Sequence, residues 1–137
     1  MLNFILFKDL PLLYGRVPKV ANSSIKAALC RLLKTAPPEG IRTTSDSFWK
    51  TGTNGETSML SNQEARMLRG THFNFSFVRN PFDRLVSAYN NKLLELATIP
   101  ERMKAMGLRH SMPFGDFLEV VAATRDEDLD VHLLPQS

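Results

Sequence analysis

Two short stretches of this chain carry residue types able to hold phosphate or sulfate groups. The first is Val17-Pro18-Lys19-Val20-Ala21-Asn22-Ser23-Ser24. A tight loop of small residues feeding a helix aims several backbone N–H groups at one point, and the helix dipole adds about half a positive charge there. Lys19 adds a full charge, and Ser23 and Ser24 add hydroxyl donors. The second is Arg79-Asn80-Pro81-Phe82-Asp83-Arg84-Leu85-Val86-Ser87. An arginine at a strand end can grip one anion with two N–H groups, and Ser87, off the apolar stripe of the following helix, can add a hydroxyl. Each stretch alone also has a plainer reading: a Ser-capped turn for the first, a solvated helix face with an Arg79 ion pair for the second. Asp83 and Arg84 read as surface or packing charges. The phosphate-loop spelling G-x-x-x-x-G-K-[ST] is absent, because Lys19 precedes its loop and no glycine lies inside it. Kinase and GTPase chemistry is therefore disfavoured.

These side chains need a frame to hold them. Residues 12–17 predict a strand stopped by Pro18, which has no N–H for a ladder. Residues 3–7 predict another, reached through Lys8-Asp9-Leu10-Pro11. Ile25, Ala28, Leu29, Leu32 and Leu33 recur at helical spacing, with Ser23 or Ser24 as the N-cap. Residues 35–60, rich in Pro, Gly, Ser and Thr, predict a long loop. Its only aromatic island, Phe48-Trp49, is a core plug or a surface for stacking on a sugar. Ser61-Asn62-Gln63-Glu64 has capping-box spacing. Residues 73–78 alternate as a strand. Phe82, Leu85, Val86, Tyr89, Leu93 and Leu96 then form one helical stripe, with Pro81 in its first turn. Residues 101–106 and 114–123 predict two more helices. Strand, loop, helix, then strand, basic turn, helix predicts an α/β fold with a parallel sheet flanked by helices. In such folds ligands bind beyond the carboxyl ends of the strands.

The whole composition is compatible with one domain over residues 1–137. No apolar run approaches the roughly 18–20 residues of a membrane span, and the first residues lack signal-peptide character. These observations predict a cytoplasmic protein or a soluble domain cut from a larger one. The single Cys30 excludes a disulfide framework and reads as a buried structural thiol. Net charge is +3, unevenly placed: residues 111–137 hold six acidic side chains and only Arg125, leaving the first 110 residues at +8. A basic body suits a polyanionic ligand. Dispersed Lys and Arg, with aromatics in strand and helix patterns, argue against a nucleic-acid binder.

Taken together, the two stretches resemble the donor-binding signatures of sulfotransferases that use 3′-phosphoadenosine-5′-phosphosulfate (PAPS). They look most like those of the HNK-1, chondroitin and dermatan carbohydrate sulfotransferases. Residues 17–24 match a Val-Pro-Lys-Val-Ala-Thr/Ser block. Residues 79–92 match Arg-x-Pro-Phe-x-Arg-Leu-x-Ser-Ala-Tyr/Phe…Lys. A third block, Asp130-Val131-His132-Leu133-Leu134-Pro135-Gln136, is similar to a His-Trp-x-Pro-Gln segment, with Leu133 in place of Trp.

The resemblance implies a P-loop-like sulfotransferase fold, PAPS as sulfuryl donor, no metal, and a carbohydrate hydroxyl as acceptor. It implies that Lys19 stabilises the leaving oxygen and that Val20, Ala21, Asn22, Ser23 and Ser24 cradle the 5′-phosphate. Arg79 and Ser87 would bind the 3′-phosphate, and Lys92 is a candidate extra charge there or a solvated lysine. A proton acceptor is also required. His132, in the third block, is the first choice, with His72 next; His110 reads as a surface residue, and Glu56 and Asp130 stay open. The family's domain continues beyond the Pro-Gln segment and bears cysteines there, so the resemblance predicts a domain incomplete at its C-terminus. A catalytically incomplete PAP- or PAPS-binding module is the alternative. A bacterial-type protein would be cytoplasmic, and a piece of a eukaryotic-type enzyme would belong to the Golgi lumen or membrane.

Overall fold

The computed structural model describes residues 2–136. They fall into two compact units, Met1–Phe77 and Val78–Ser137.

The first unit is built on a four-stranded sheet. Strands β1 (Leu2–Phe7), β2 (Leu12–Gly15), β3 (Thr57–Ser61) and β4 (Phe73–Ser76) lie in the order β3-β1-β2-β4. Ile5 and Phe7 alternate onto one face and pack with Tyr14, Leu29, Phe48, Trp49 and Met59. Helices α1 (Asn22–Leu29), α2 (Asp46–Thr51) and α3 (Asn62–Met67) complete the unit. The Ser61–Glu64 capping box forms as its spacing predicts.

The sheet is mixed, which corrects the expectation of a parallel one. β1 runs antiparallel to both β2 and β3; only β2 and β4 are parallel. The turn between β1 and β2 is the cause: residues 8–11 are enough for a hairpin and too few for a parallel crossover. The parallel pair is nonetheless the one from which both motifs depart. Gly15 stands opposite Ser76, so the carboxyl ends of β2 and β4 are adjacent and point the same way. Gly15 has a packing reason to be glycine, since a Cβ there would come within 2.9 Å of the Phe4 ring.

Residues 35–60 are not one loop, because α2 and β3 lie within them. Trp49 settles the aromatic island as a core plug. It is fully buried, its Nε1 donates to the Thr43 carbonyl at 2.7 Å, and its own carbonyl accepts from Thr57 Oγ1 at 2.8 Å.

The second unit holds α4 (Pro81–Tyr89), a π-helical turn (Asn90–Glu95), α5 (Glu101–Ala105) and α6 (Phe114–Ala123). Ala88, Leu93, Ile99, Met103, Leu108, Met112, Phe117, Leu129 and Leu133 form its core. The long helix expected after Pro81 changes pitch at Asn90, and the Leu96 N–H bonds five residues back to the Asn91 carbonyl. Among the described residues no helix is long and apolar enough to cross a membrane.

Candidate functional site

The loop after β2 is shaped by two residues in left-handed conformation, Lys19 at φ 65° and Ala21 at φ 63°. Neither is glycine, and each such residue costs roughly 1–2 kcal/mol that the surroundings must offset. Val20 between them is buried and anchors the loop. The tight turn starts α1 earlier than expected: Ala21 is the N-cap, and Ser23 and Ser24 fall inside the first helical turn rather than capping it. No side chain caps this helix, and its first turn holds no acidic residue. The result is an electropositive helix start with two exposed serines.

Asn22 is partly committed elsewhere, since its Oδ1 accepts from the Tyr14 hydroxyl at 3.1 Å. Burial pushes the Tyr14 pKa up to about 12 against the opposing charge of Arg16, so the phenol stays a donor at neutral pH. Val20 can offer a ligand only its backbone.

Behind the loop lies a charge cluster that sequence reading missed. Lys26 is 1% exposed; its Nζ donates to Asp46 at 2.7 Å and to the Thr44 carbonyl at 3.0 Å. Arg16 reaches the same carboxylate at 2.7 Å. Burial would raise the Asp46 pKa, but the Lys26 hydrogen bond and the two cations outweigh it and hold the carboxyl below its ordinary value. The predicted stripe placed Ala28 and Leu32 inward, yet both are exposed, and Lys26 and Leu29 are the buried pair. The three-residue spacing of Lys26 and Leu29 was the available signal.

In the second unit, Arg79 is exposed and its backbone is clamped by one side chain. Gln136 Oε1 accepts from the Arg79 N–H at 2.8 Å, and Gln136 Nε2 donates to the Arg79 carbonyl at 2.7 Å. Asn80 caps α4, accepting from the N–H of Phe82 at 2.9 Å and of Asp83 at 3.4 Å. Arg84 is buried and donates to the Leu134 carbonyl, so it is a packing charge that ties α4 to the third motif. Burial pulls its pKa down. Ser87 is half-buried, about 10 Å along the helix axis from Asn80 at 1.5 Å per residue.

The third motif therefore braces the second through Leu134 and Gln136. Leu133, where the resembling segment has Trp, is a core residue. His132 sits against a carboxylate, its Nδ1 2.6 Å from Asp130 Oδ1. His72 pairs with Thr71, and His110 is exposed between Ser111 and the Leu96 carbonyl. Among the described residues no cluster of His, Cys, Asp or Glu could hold a metal ion.

The sequence is similar to Carbohydrate sulfotransferase 14 of Mus musculus, at 30% identity, and of Homo sapiens, at 29%. Each alignment covers 98% of this chain and 39% of the relative, so the chain spans about two fifths of the length of these relatives. No solved structure matches it. The profile described as the Sulfotransferase family matches residues 2–137, a span that takes in all three motifs. This chain belongs to the Sulfotransferase family.

Proposed function

We propose that this chain binds PAPS and passes its sulfuryl group to a hydroxyl of a carbohydrate acceptor. The observation that carries the reading is the register of β2 and β4: each cationic motif follows, along the chain, one of two parallel strands whose carboxyl ends are adjacent and co-directional. The residues fit such a donor. An uncapped helix start with two serines suits the 5′-phosphate, and an exposed arginine ahead of a helix that carries a half-buried serine suits the 3′-phosphate.

PAPS supplies an activated sulfuryl group and a stable leaving group. Lys19 stabilises the charge that develops on the oxygen leaving sulfur, while the amides and hydroxyls of the 21–24 turn hold the phosphate to which it belongs. Arg79 and Ser87 fix the 3′-phosphate and so align the donor. His132 takes the proton as the acceptor oxygen bonds to sulfur and the old S–O bond breaks. The carbohydrate acceptor follows the names of the similar proteins, and the Golgi lumen or membrane is the compartment that the motif resemblance implies for a piece of a eukaryotic-type enzyme.

Calorimetry with PAP, AMP and ATP on the native chain and on Arg79→Ala tests the reading. PAP should bind more tightly than AMP, and Arg79→Ala should weaken PAP about 10- to 100-fold, the loss of charged hydrogen bonds, while leaving AMP nearly unchanged. Equal affinity for PAP and AMP in the native chain would falsify it. PAP preference without any transfer would narrow the protein to a donor-binding module.

A further inference from the structure

The third motif holds a pairing that donor binding does not use. Asp130 is 5% exposed, and its Oδ1 receives two hydrogen bonds from one residue, the His132 backbone N–H at 2.9 Å and the ring Nδ1 at 2.6 Å. The Asp130 carbonyl in turn accepts from the N–H of Leu133 and Leu134. Leu129 and Leu133 are buried on either side, so the turn that presents the imidazole is anchored at both ends. The His132 side chain is 26% exposed, and its Nε2 has no hydrogen-bond partner among the described residues.

We propose that Asp130 is a positioning residue that holds His132 in the tautomer with the proton on Nδ1, leaving Nε2 to accept the proton of the acceptor hydroxyl. This rests on the sulfotransferase reading above. The chemistry follows from donor and acceptor counts. An ionised carboxylate only accepts, so an oxygen already facing a backbone N–H forces the ring nitrogen beside it to be the donor. Nδ1 then carries hydrogen and Nε2 carries the lone pair.

The surroundings keep Asp130 ionised. Burial alone would raise its pKa, but the two His132 hydrogen bonds, the charge of the His132 ring when protonated and, last, the charge of Lys92 on the π-helical turn outweigh burial and hold the carboxyl below its ordinary range. The other charged groups around the segment are Arg84, on the Leu134 carbonyl, and Arg102, on the carbonyls of Glu127 and Leu129. When Nε2 takes a proton, the imidazolium faces a carboxylate already held in place, and no group has to reorganise.

Nitrogen-15 NMR of the imidazoles, on the full chain across about pH 5–9, tests the pairing without any donor or acceptor. Native His132 should show hydrogen on Nδ1. In Asp130→Asn, where the side-chain amide can itself donate, the neutral ring should shift toward hydrogen on Nε2. With PAPS and desulfated chondroitin as probes, kcat of Asp130→Asn should fall about 10²-fold, the contribution of a positioned general base, with KM for PAPS unchanged. A merely structural aspartate would move neither the tautomer nor kcat apart from KM, and unmoved values overturn the proposal. A bare Nδ1 in the native spectrum overturns it with no variant needed, so a misfolded Asp130→Asn protein does not rescue it. Normal PAP binding with a bare Nδ1 sinks this inference alone. An Nδ1–H tautomer in a chain that binds no PAP sinks the sulfotransferase reading and, with it, the catalytic role given to the pair.

Discussion

The two cationic motifs begin helices in opposite ways. At α1 the start is left open: Ala21 has no side chain to cap with, the conformation is left-handed, and the first turn carries no acid. At α4 the start is closed: Asn80 accepts from two first-turn amides, Pro81 removes a third donor, and Asp83 adds negative charge. An open helix start is an anion site made of backbone, whereas a closed one has no amides to spare. An anion near α4 must therefore be gripped by side chains. Arg79 and Ser87 are the types that can do so, and Gln136 fixes the backbone from which Arg79 extends.

The sharpest way to break this contrast is Lys19→Ala. Under the proposed function, the lysine of the open site meets charge that grows only as the sulfur–oxygen bond breaks. Transfer should fall about 10²–10³-fold, the cost of deleting one group that stabilises a developing oxyanion. PAP affinity measured by calorimetry should fall much less. Equal losses in both would make Lys19 a simple phosphate contact and remove the distinction.

The next effect lies behind the open site. Removing one partner of a buried ion pair costs about 3–5 kcal/mol. Asp46 is half exposed and keeps Arg16, so Lys26→Ala should cost less than that, about 2–3 kcal/mol by urea unfolding, and Lys26→Met less again. The pH dependence follows from the depressed Asp46 pKa. Its ionised form stabilises the fold above the unfolded carboxyl value, near pH 4, and that stability is lost as pH falls through the lower folded value. Lys26→Met should make the acid limb of the stability curve shallower. An unchanged limb would show that Lys26 does not hold that carboxylate down.

Much of this was legible in residue order, and the failures share a cause. Periodicity found β1, β2, β4, α1, α4 and α6, and the Ser61–Glu64 spacing marked a real capping box. β3 was missed because Thr57-Ser58-Met59-Leu60-Ser61 buries a threonine where an apolar residue would announce a strand. Thr57 is satisfied there by Thr53 and Trp49, which only tertiary structure supplies. Lys26 was hidden likewise, since a lysine signals surface until Asp46, twenty residues on, is brought to it. The antiparallel β1–β2 pair was readable in the four-residue turn. In the site, residue types were legible, but the open and closed helix starts were not. They depend on backbone angles at Lys19 and Ala21 that neither residue type favours.

The smallest effect should separate the two helix starts most cleanly. Ala21→Gly relieves a left-handed alanine and should raise stability by about 1 kcal/mol or less, part of the gain being offset by greater freedom in the unfolded chain. Asn80→Ala removes a side-chain cap and should lower stability by about 1 kcal/mol. Opposite signs by chemical denaturation would mean that the first helix start is strained and the second relaxed. Strain retained at a non-glycine position is expected where a turn is held for a ligand rather than for the fold. Ala21→Gly should then weaken PAP binding even as it stabilises the protein, because a looser turn must be ordered again when the phosphate arrives. If Ala21→Gly leaves PAP affinity unchanged, the left-handed turn serves only chain reversal, and the open helix start owes nothing to its rigidity.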